Sequence, residues 1–144
     1  MRLVDVNVLV YAFREDSPGH ADYRAWLNGL VGGEEAYGVS DQILSDFLRV
    51  VTHPRVFHPP TPISRALAFA RAFREPANAV PVAPGERHWD IFTRLCGQRA
   101  VRGNLVADAW RAALAIESGC EFVTTDGHFA RFEGLRWRHP LRQM

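Results

Sequence analysis

The chain reads as an α/β protein, a three-layer α/β/α sandwich around a central parallel sheet of four to five strands. Three observations predict this. Short β-branched or apolar runs alternate along the sequence with longer segments of helical periodicity. Glycine, proline and capping residues fall between the two kinds of segment. The chain of 144 residues, 47% hydrophobic and 23% charged, is long enough to bury a proper core as one domain spanning 1–144 and shows no repeat or linker.

The opening run, MRLVDVNVLVYAF, carries Val4, Val6, Val8 and Val10 and predicts a buried strand that hands over to a helix. In SPGHADYRAWLNGLVGG, Ser17 and Pro18 are start signals. Ala21, Tyr23, Trp26, Leu27 and Leu30 have helical spacing, and Gly32 and Gly33 stop the helix. AYGVS predicts a second strand. SDQILSDFLRVVTHP predicts a helix capped by Ser40, with Ile43, Leu44, Phe47, Leu48 and Val51 on one face and its end before Pro54. After the loop PRVFHPPTP, ISRALAFARAFREP predicts a helix with Ile63, Leu67, Ala70 and Phe73 inward and Arg65, Arg71 and Arg74 outward. NAVPVAP predicts a third strand, near an edge because of Pro81. GERHWDIFTRLCGQRAV and NLVADAWRAALAIESG predict two helices, the second with Asn104 as N-cap. CEFVTTDGHF predicts a fourth strand ending at Thr125 or Asp126, and LRWRH a short fifth.

Composition excludes several classes. The formal net charge is +1, so no global field attracts a polyanion and any such binding must come from local arginine clusters. All 17 basic residues are arginine. Cys96 and Cys120 lack any metal-binding spacing and read as thiols of a cytoplasmic protein. No signal-peptide pattern and no membrane-length apolar run is present, so no membrane partner is expected.

The acids carry the chemistry. Asp5 interrupts an apolar run, and a carboxylate buried there needs a cation, hydrogen bonds or solvent at the strand end. In an open parallel sheet ligands bind beyond the carboxyl ends of the strands, where Asp5 and Asp126 are both expected. Asp108 falls near the start of the helix before the fourth strand, and Asp46 lies between Leu44 and Phe47 on an apolar helix face, which implies an inward target. Each has an ordinary alternative: Asp5 or Asn7 as a helix cap, Asp46 a solvated boundary residue, Asp108 a charge favoured at a helix N-terminus, Asp126 an N-cap or turn residue after the strand. Together the four point to one end of one sheet, and a hard divalent cation asks for oxygen ligands of this kind.

DVNVLVYAF, SDFLRVVTHPRVF, NLVADAW and TTDGHFARF, in this order, resemble the four acidic segments of the PIN-domain nucleases and, within them, of the VapC-type toxins of bacterial toxin–antitoxin pairs. The resemblance covers nearly the whole chain and implies a PIN-like fold. It also implies an endoribonuclease dependent on Mg²⁺ or Mn²⁺, acting on RNA, held inactive by a cognate VapB-like antitoxin, and homodimeric. By that resemblance Asp5, Asp108 and Asp126 are ligands, Asp46 a ligand directly or through water, and Asn7 and Thr125 orienting groups around them. The sequence departs from the pattern twice: Asp46 stands where Glu is common, and His128 where an acid often follows the fourth. His128 reads as a hydrogen-bonded loop residue.

Arg99 and Arg102 are the basic residues nearest the acid-bearing helix and the candidates for RNA phosphate. Trp26, Trp89 and Trp110 have helical spacing and read as core rather than base-stacking groups. The antitoxin tail is expected across Tyr23, Trp26 and Phe47. Two rivals remain. A haloacid-dehalogenase-type phosphatase also opens with a strand-end acid, but it wants a D-x-D motif and a lysine, whereas here the third position is Asn7 and lysine is absent. A catalytically inactive PIN-like module that binds only protein is the other.

Overall fold

The computed structural model describes residues 1–98 and 100–142. It contains β1 (Arg2–Val4), α1 (Val6–Phe13), α2 (His20–Val31), β2 (Tyr37–Val39), α3 (Asp41–Val51), α4 (Ile63–Arg74), β3 (Ala79–Pro81), α5 (His88–Cys96), α6 (Asn104–Ser118), β4 (Glu121–Val123) and β5 (Trp137–Arg138). A 3₁₀ turn, Gly127–Arg131, lies between β4 and β5. The sheet has five parallel strands in the order β3-β2-β1-β4-β5.

That order places the site. From β1 the chain moves outward to β2 and β3, then returns past β1 to β4. Right-handed crossovers therefore put α1 to α4 on one face and α5 and α6 on the other, which makes the sandwich. The direction reverses between β1 and β4, the switch point where parallel sheets open a crevice. The register there is Arg2 to Glu121, Leu3 to Phe122 and Val4 to Val123, and the Asp5 N–H continues it by donating to the Val123 carbonyl at 2.9 Å. Asp5 thus emerges beside the end of β4.

Buried apolar side chains from both faces form the core, with Phe47, Phe122, Phe129, Leu9 and Leu95 among the largest fully buried. Tyr37 is buried too and donates its hydroxyl to the Phe73 carbonyl at 2.6 Å, which ties β2 to the end of α4. Such a bond is what allows a buried phenol.

The element boundaries differ from the sequence expectations in physically instructive ways. The opening valines belong mostly to α1, because Asp5 caps a helix at once and the strand is only three residues long. Ser17 and Pro18 lie in the turn before α2, whose N-cap is Gly19 in the left-handed region, a conformation glycine adopts without a Cβ clash. Ile63, expected inward, is 55% exposed as the first residue of α4, and Ala66, Ala70 and Phe73 form the buried face. Asn104 is the first helical residue, not the cap, and Gly103 precedes it. β4 ends at Val123, because Thr124 and Asp126 turn their polar groups to the crevice. Ser40 does cap α3, its Oγ accepting from the Ile43 N–H at 3.3 Å, and Pro81 does lie in an edge strand.

Cys96 and Cys120 are free thiols. Among the described residues no helix is long and apolar enough to cross a membrane.

Candidate metal centre

The strand half of the crevice is built around one hydroxyl. Asp5 is 4% exposed; its Oδ1 accepts from the Val6 N–H at 2.7 Å and its Oδ2 from the Thr124 hydroxyl at 2.8 Å. The same hydroxyl accepts from Asn7 Nδ2 at 3.3 Å and from the Asp126 N–H at 3.1 Å. One donor and two acceptor positions of a threonine are thereby used in full. Asn7 Oδ1 in turn accepts from the Thr125 N–H at 3.4 Å. Three residues after β1 and three after β4 are locked into one network. Asp126 continues it, its Oδ1 accepting from the His128 N–H at 2.8 Å as cap of the 3₁₀ turn.

Capping and site are therefore not alternatives at Asp5 and Asp126. Each carboxylate uses one oxygen to start a helical turn and remains at the crevice. Burial pushes the Asp5 carboxyl above its ordinary range, against the lowering effect of the Thr124 hydrogen bond and of the Arg111 charge; the nearby Asp108 charge raises it further. Asp108 is also raised, chiefly by burial and then by Asp126, with Arg111 working against both. The charge of Asp108 is thus felt at Asp5, and that of Asp126 at Asp108.

The helix half is organised by an ion pair. Arg111 on α6 donates to Asp46 Oδ2 of α3 at 2.9 Å and to Asp108 Oδ1, one turn back on its own helix, at 3.2 Å. The side chains of Asp46, Asp108 and Arg111 are only 16%, 20% and 16% exposed. Arg49 lies 3.8 Å from the other Asp46 oxygen. Arg111 Nε is buried with no hydrogen-bond partner among the described residues. Leaving such a donor unmade costs about 1–3 kcal/mol, so the guanidinium is placed for its charge rather than for its full set of bonds.

Thr124 links Asp5 with Asp126 and Arg111 links Asp46 with Asp108, yet among the described residues no three acidic, histidine or cysteine side chains already form a ready-made cage. The donor set is nonetheless all carboxylate, around a buried Asp5 that makes no direct ion pair among the described residues. This chemistry suits a hard divalent cation rather than a soft one. An open groove of about 510 Å³ adjoins Asp46 and Arg111, walled by Phe92, Val106, Ala107 and Trp110.

Sequence reasoning passed over Arg111 and Thr124. The inward setting of Asp46 implied a partner, and a cation one turn from Asp108 is the residue that answers it. Thr124 was masked by its neighbour: the hydroxyl bonded to Asp5 is that of Thr124, while Thr125 contributes its backbone N–H. His128 is an exposed turn residue with Nδ1 3.4 Å from Asp126 Oδ1. Arg102 is exposed in the loop before α6, and Arg99 lies outside the described residues. Trp26 and Trp110 are half-buried, but Trp89, expected in the core, is 67% exposed and tilts against Phe92. Phe47 is fully buried against Phe13 and Phe69 and is not available to an antitoxin tail; Tyr23 and Trp26 remain half-buried.

A parallel sheet in the order β3-β2-β1-β4-β5, with an acid directly after β1, another after β4 and a third and fourth on α3 and α6, defines the class. The chain belongs to the PIN domain family, whose model matches residues 2–135. Among relatives, it is 46% identical over 141 residues to Ribonuclease VapC43 of Mycobacterium tuberculosis, covering 98% of this chain and 96% of that one. It is 36% identical over 140 residues to Ribonuclease VapC25 of the same species, covering 97% and 99%. Among solved structures, VapBC2 from Rickettsia felis bound to a DNA fragment from its promoter shares the fold with a TM-score of 0.69 at 17% identity, over 95% of this chain and 96% of that one. VapBC-1 from nontypeable Haemophilus influenzae has a TM-score of 0.66 at 14% identity, over 98% of both.

Proposed function

We propose that this chain is a divalent-metal-dependent endoribonuclease, the toxin of a toxin–antitoxin pair, acting as a single PIN domain over residues 1–144. The observation that carries the reading is Asp5: a buried carboxylate at the switch point, its charge disfavoured by burial and held in place by hydrogen bonds rather than by a salt bridge. Membership of the PIN family and relatives named VapC ribonucleases support it.

Asp5, Asp108 and Asp126 are the residues that would hold Mg²⁺ or Mn²⁺, with Asp46 beside them. The ion, when bound, supplies an activated water and charge stabilisation on the phosphoryl oxygens. The protein's own part is to fix the carboxylates before the substrate arrives. Thr124 sets the angle of Asp5, Asn7 spans from β1 to the end of β4, and the Asp126 carboxylate is pinned by the 3₁₀ turn. Such supporting groups govern metal affinity as strongly as about 10–100-fold each. The groove beside Asp46, with Trp110 and Phe92 in its wall, offers single-stranded RNA an apolar surface for a base, and Arg102 offers a phosphate contact. The partner is an antitoxin protein, the functional unit a homodimer, and the place of action the cytoplasm.

Incubation of purified chain with total cellular RNA tests this. Discrete cleavage products with Mg²⁺ or Mn²⁺, and none with EDTA, are expected. Intact RNA under all conditions, from a folded protein that still binds its antitoxin, would replace this reading with that of an inactive protein-binding module.

A further inference from the structure

Asp46 enters the crevice with its charge already answered. Its Oδ2 lies 2.9 Å from Arg111 and its Oδ1 3.8 Å from Arg49, while Arg111 also reaches Asp108 at 3.2 Å. Asp5 and Asp126 meet no guanidinium at ion-pair distance among the described residues. Arg111 is largely buried and joins α3 to α6 through its guanidinium. A divalent ion seated on Asp46 would therefore stand against a fixed positive charge with little water to screen it.

We propose that Arg111 is the site's built-in second cation: with Arg49 it faces both oxygens of Asp46 and removes that residue from the ligand set, while it takes only Oδ1 of Asp108, so that the acids are restricted to one divalent ion, held by Asp5, Asp108 and Asp126. The inference rests on the metal-dependent reading above. Arg111 is on this account a positioning residue. It holds α3 and α6 together across the crevice and sets how much negative charge the site presents to metal.

The test is Mn²⁺ binding to the full chain, followed by calorimetry and by the electron paramagnetic resonance signal of the free ion. Wild type is expected to bind one Mn²⁺. Arg111→Met uncovers Asp46 and is expected to bind two, whereas Arg111→Lys keeps the charge and stays at one. The charge-neutral pair Asp46→Asn with Arg111→Gln keeps the site's net charge and is the variant to rely on if Arg111→Met does not fold. It is expected to bind one ion within about threefold of the wild-type affinity, well short of the ~10–100-fold that loss of a supporting group costs. Two ions in wild type, one ion in folded Arg111→Met, or a tenfold or greater loss in the neutral pair would each overturn the proposal. Wild type that binds no Mn²⁺ at millimolar concentration would instead overturn the metal-dependent reading itself.

Discussion

The two halves of the crevice solve the same problem, a carboxylate held partly or wholly out of water, by opposite means. On the strand half Asp5 is held by the Thr124 hydroxyl and the Val6 N–H, which fix its position but leave its charge in place, so that burial raises its pKa. On the helix half Asp46 is neutralised outright by Arg111, and Asp108 is partly so. Hydrogen bonds orient a charge and a salt bridge cancels it. A site that must attract a cation needs carboxylate oxygens left without a countercharge where the ion is to sit, as at Asp5 and at the second oxygen of Asp108, and tolerates full pairing only beside it.

Breaking the strand half should have the largest effect. Asp5→Asn keeps the shape and removes the charge, so RNA cleavage is expected to vanish at equal folded concentration. The same change relieves desolvation and repulsion from Asp108, and the metal-free protein should melt higher, by about 2–4 °C per kcal/mol relieved. Melts in EDTA and in Mn²⁺ check both parts: wild type should gain stability from the ion and Asp5→Asn should not.

Thr124→Val comes next. It removes the donor to Asp5 and the acceptor for Asn7 and Asp126 at almost unchanged volume. Metal affinity and cleavage should fall about 10–100-fold, with Thr124→Ser close to wild type. If Val and Ser behave alike, the network is ornamental and Asp5 is held by the Val6 N–H alone.

Smaller effects sharpen the comparison from the helix half. Ser40→Ala removes the α3 cap three residues from Ile43 and should cost about 1 kcal/mol in denaturant melts while leaving the number of ions bound unchanged. Arg102→Ala should weaken binding to uncleaved RNA and lower the salt dependence by about one phosphate contact. Trp89→Ala should change stability by less than about 0.5 kcal/mol, since that ring is 67% exposed.

What was legible in the sequence follows from what sequence encodes locally. The alternation of strand and helix, the Ser40 cap and the edge position of Pro81 all depend on periodicity and on local capping and strand rules. They appear in the structure as read. The partners of the acids did not, because they are long-range: Thr124 is 119 residues from Asp5, and Arg111 is 65 from Asp46. Strand ends were read too long where polar residues leave the sheet for the crevice, as at Thr124 and Asp126. Ile63, Phe47 and Trp89 show the same limit from the side of burial. Periodicity puts a residue on a helix face, but only packing decides whether that face at that turn is covered.

The most direct measurement is the position of the ion itself. Crystals soaked in Mn²⁺ and recorded at the manganese absorption edge should give one anomalous peak per chain, bounded by Asp5, Asp108 and Asp126, with Arg111 still bonded to Asp46. A peak between Asp46 and Asp108 with Arg111 displaced, or no peak at a site where the protein cleaves RNA, would contradict the account.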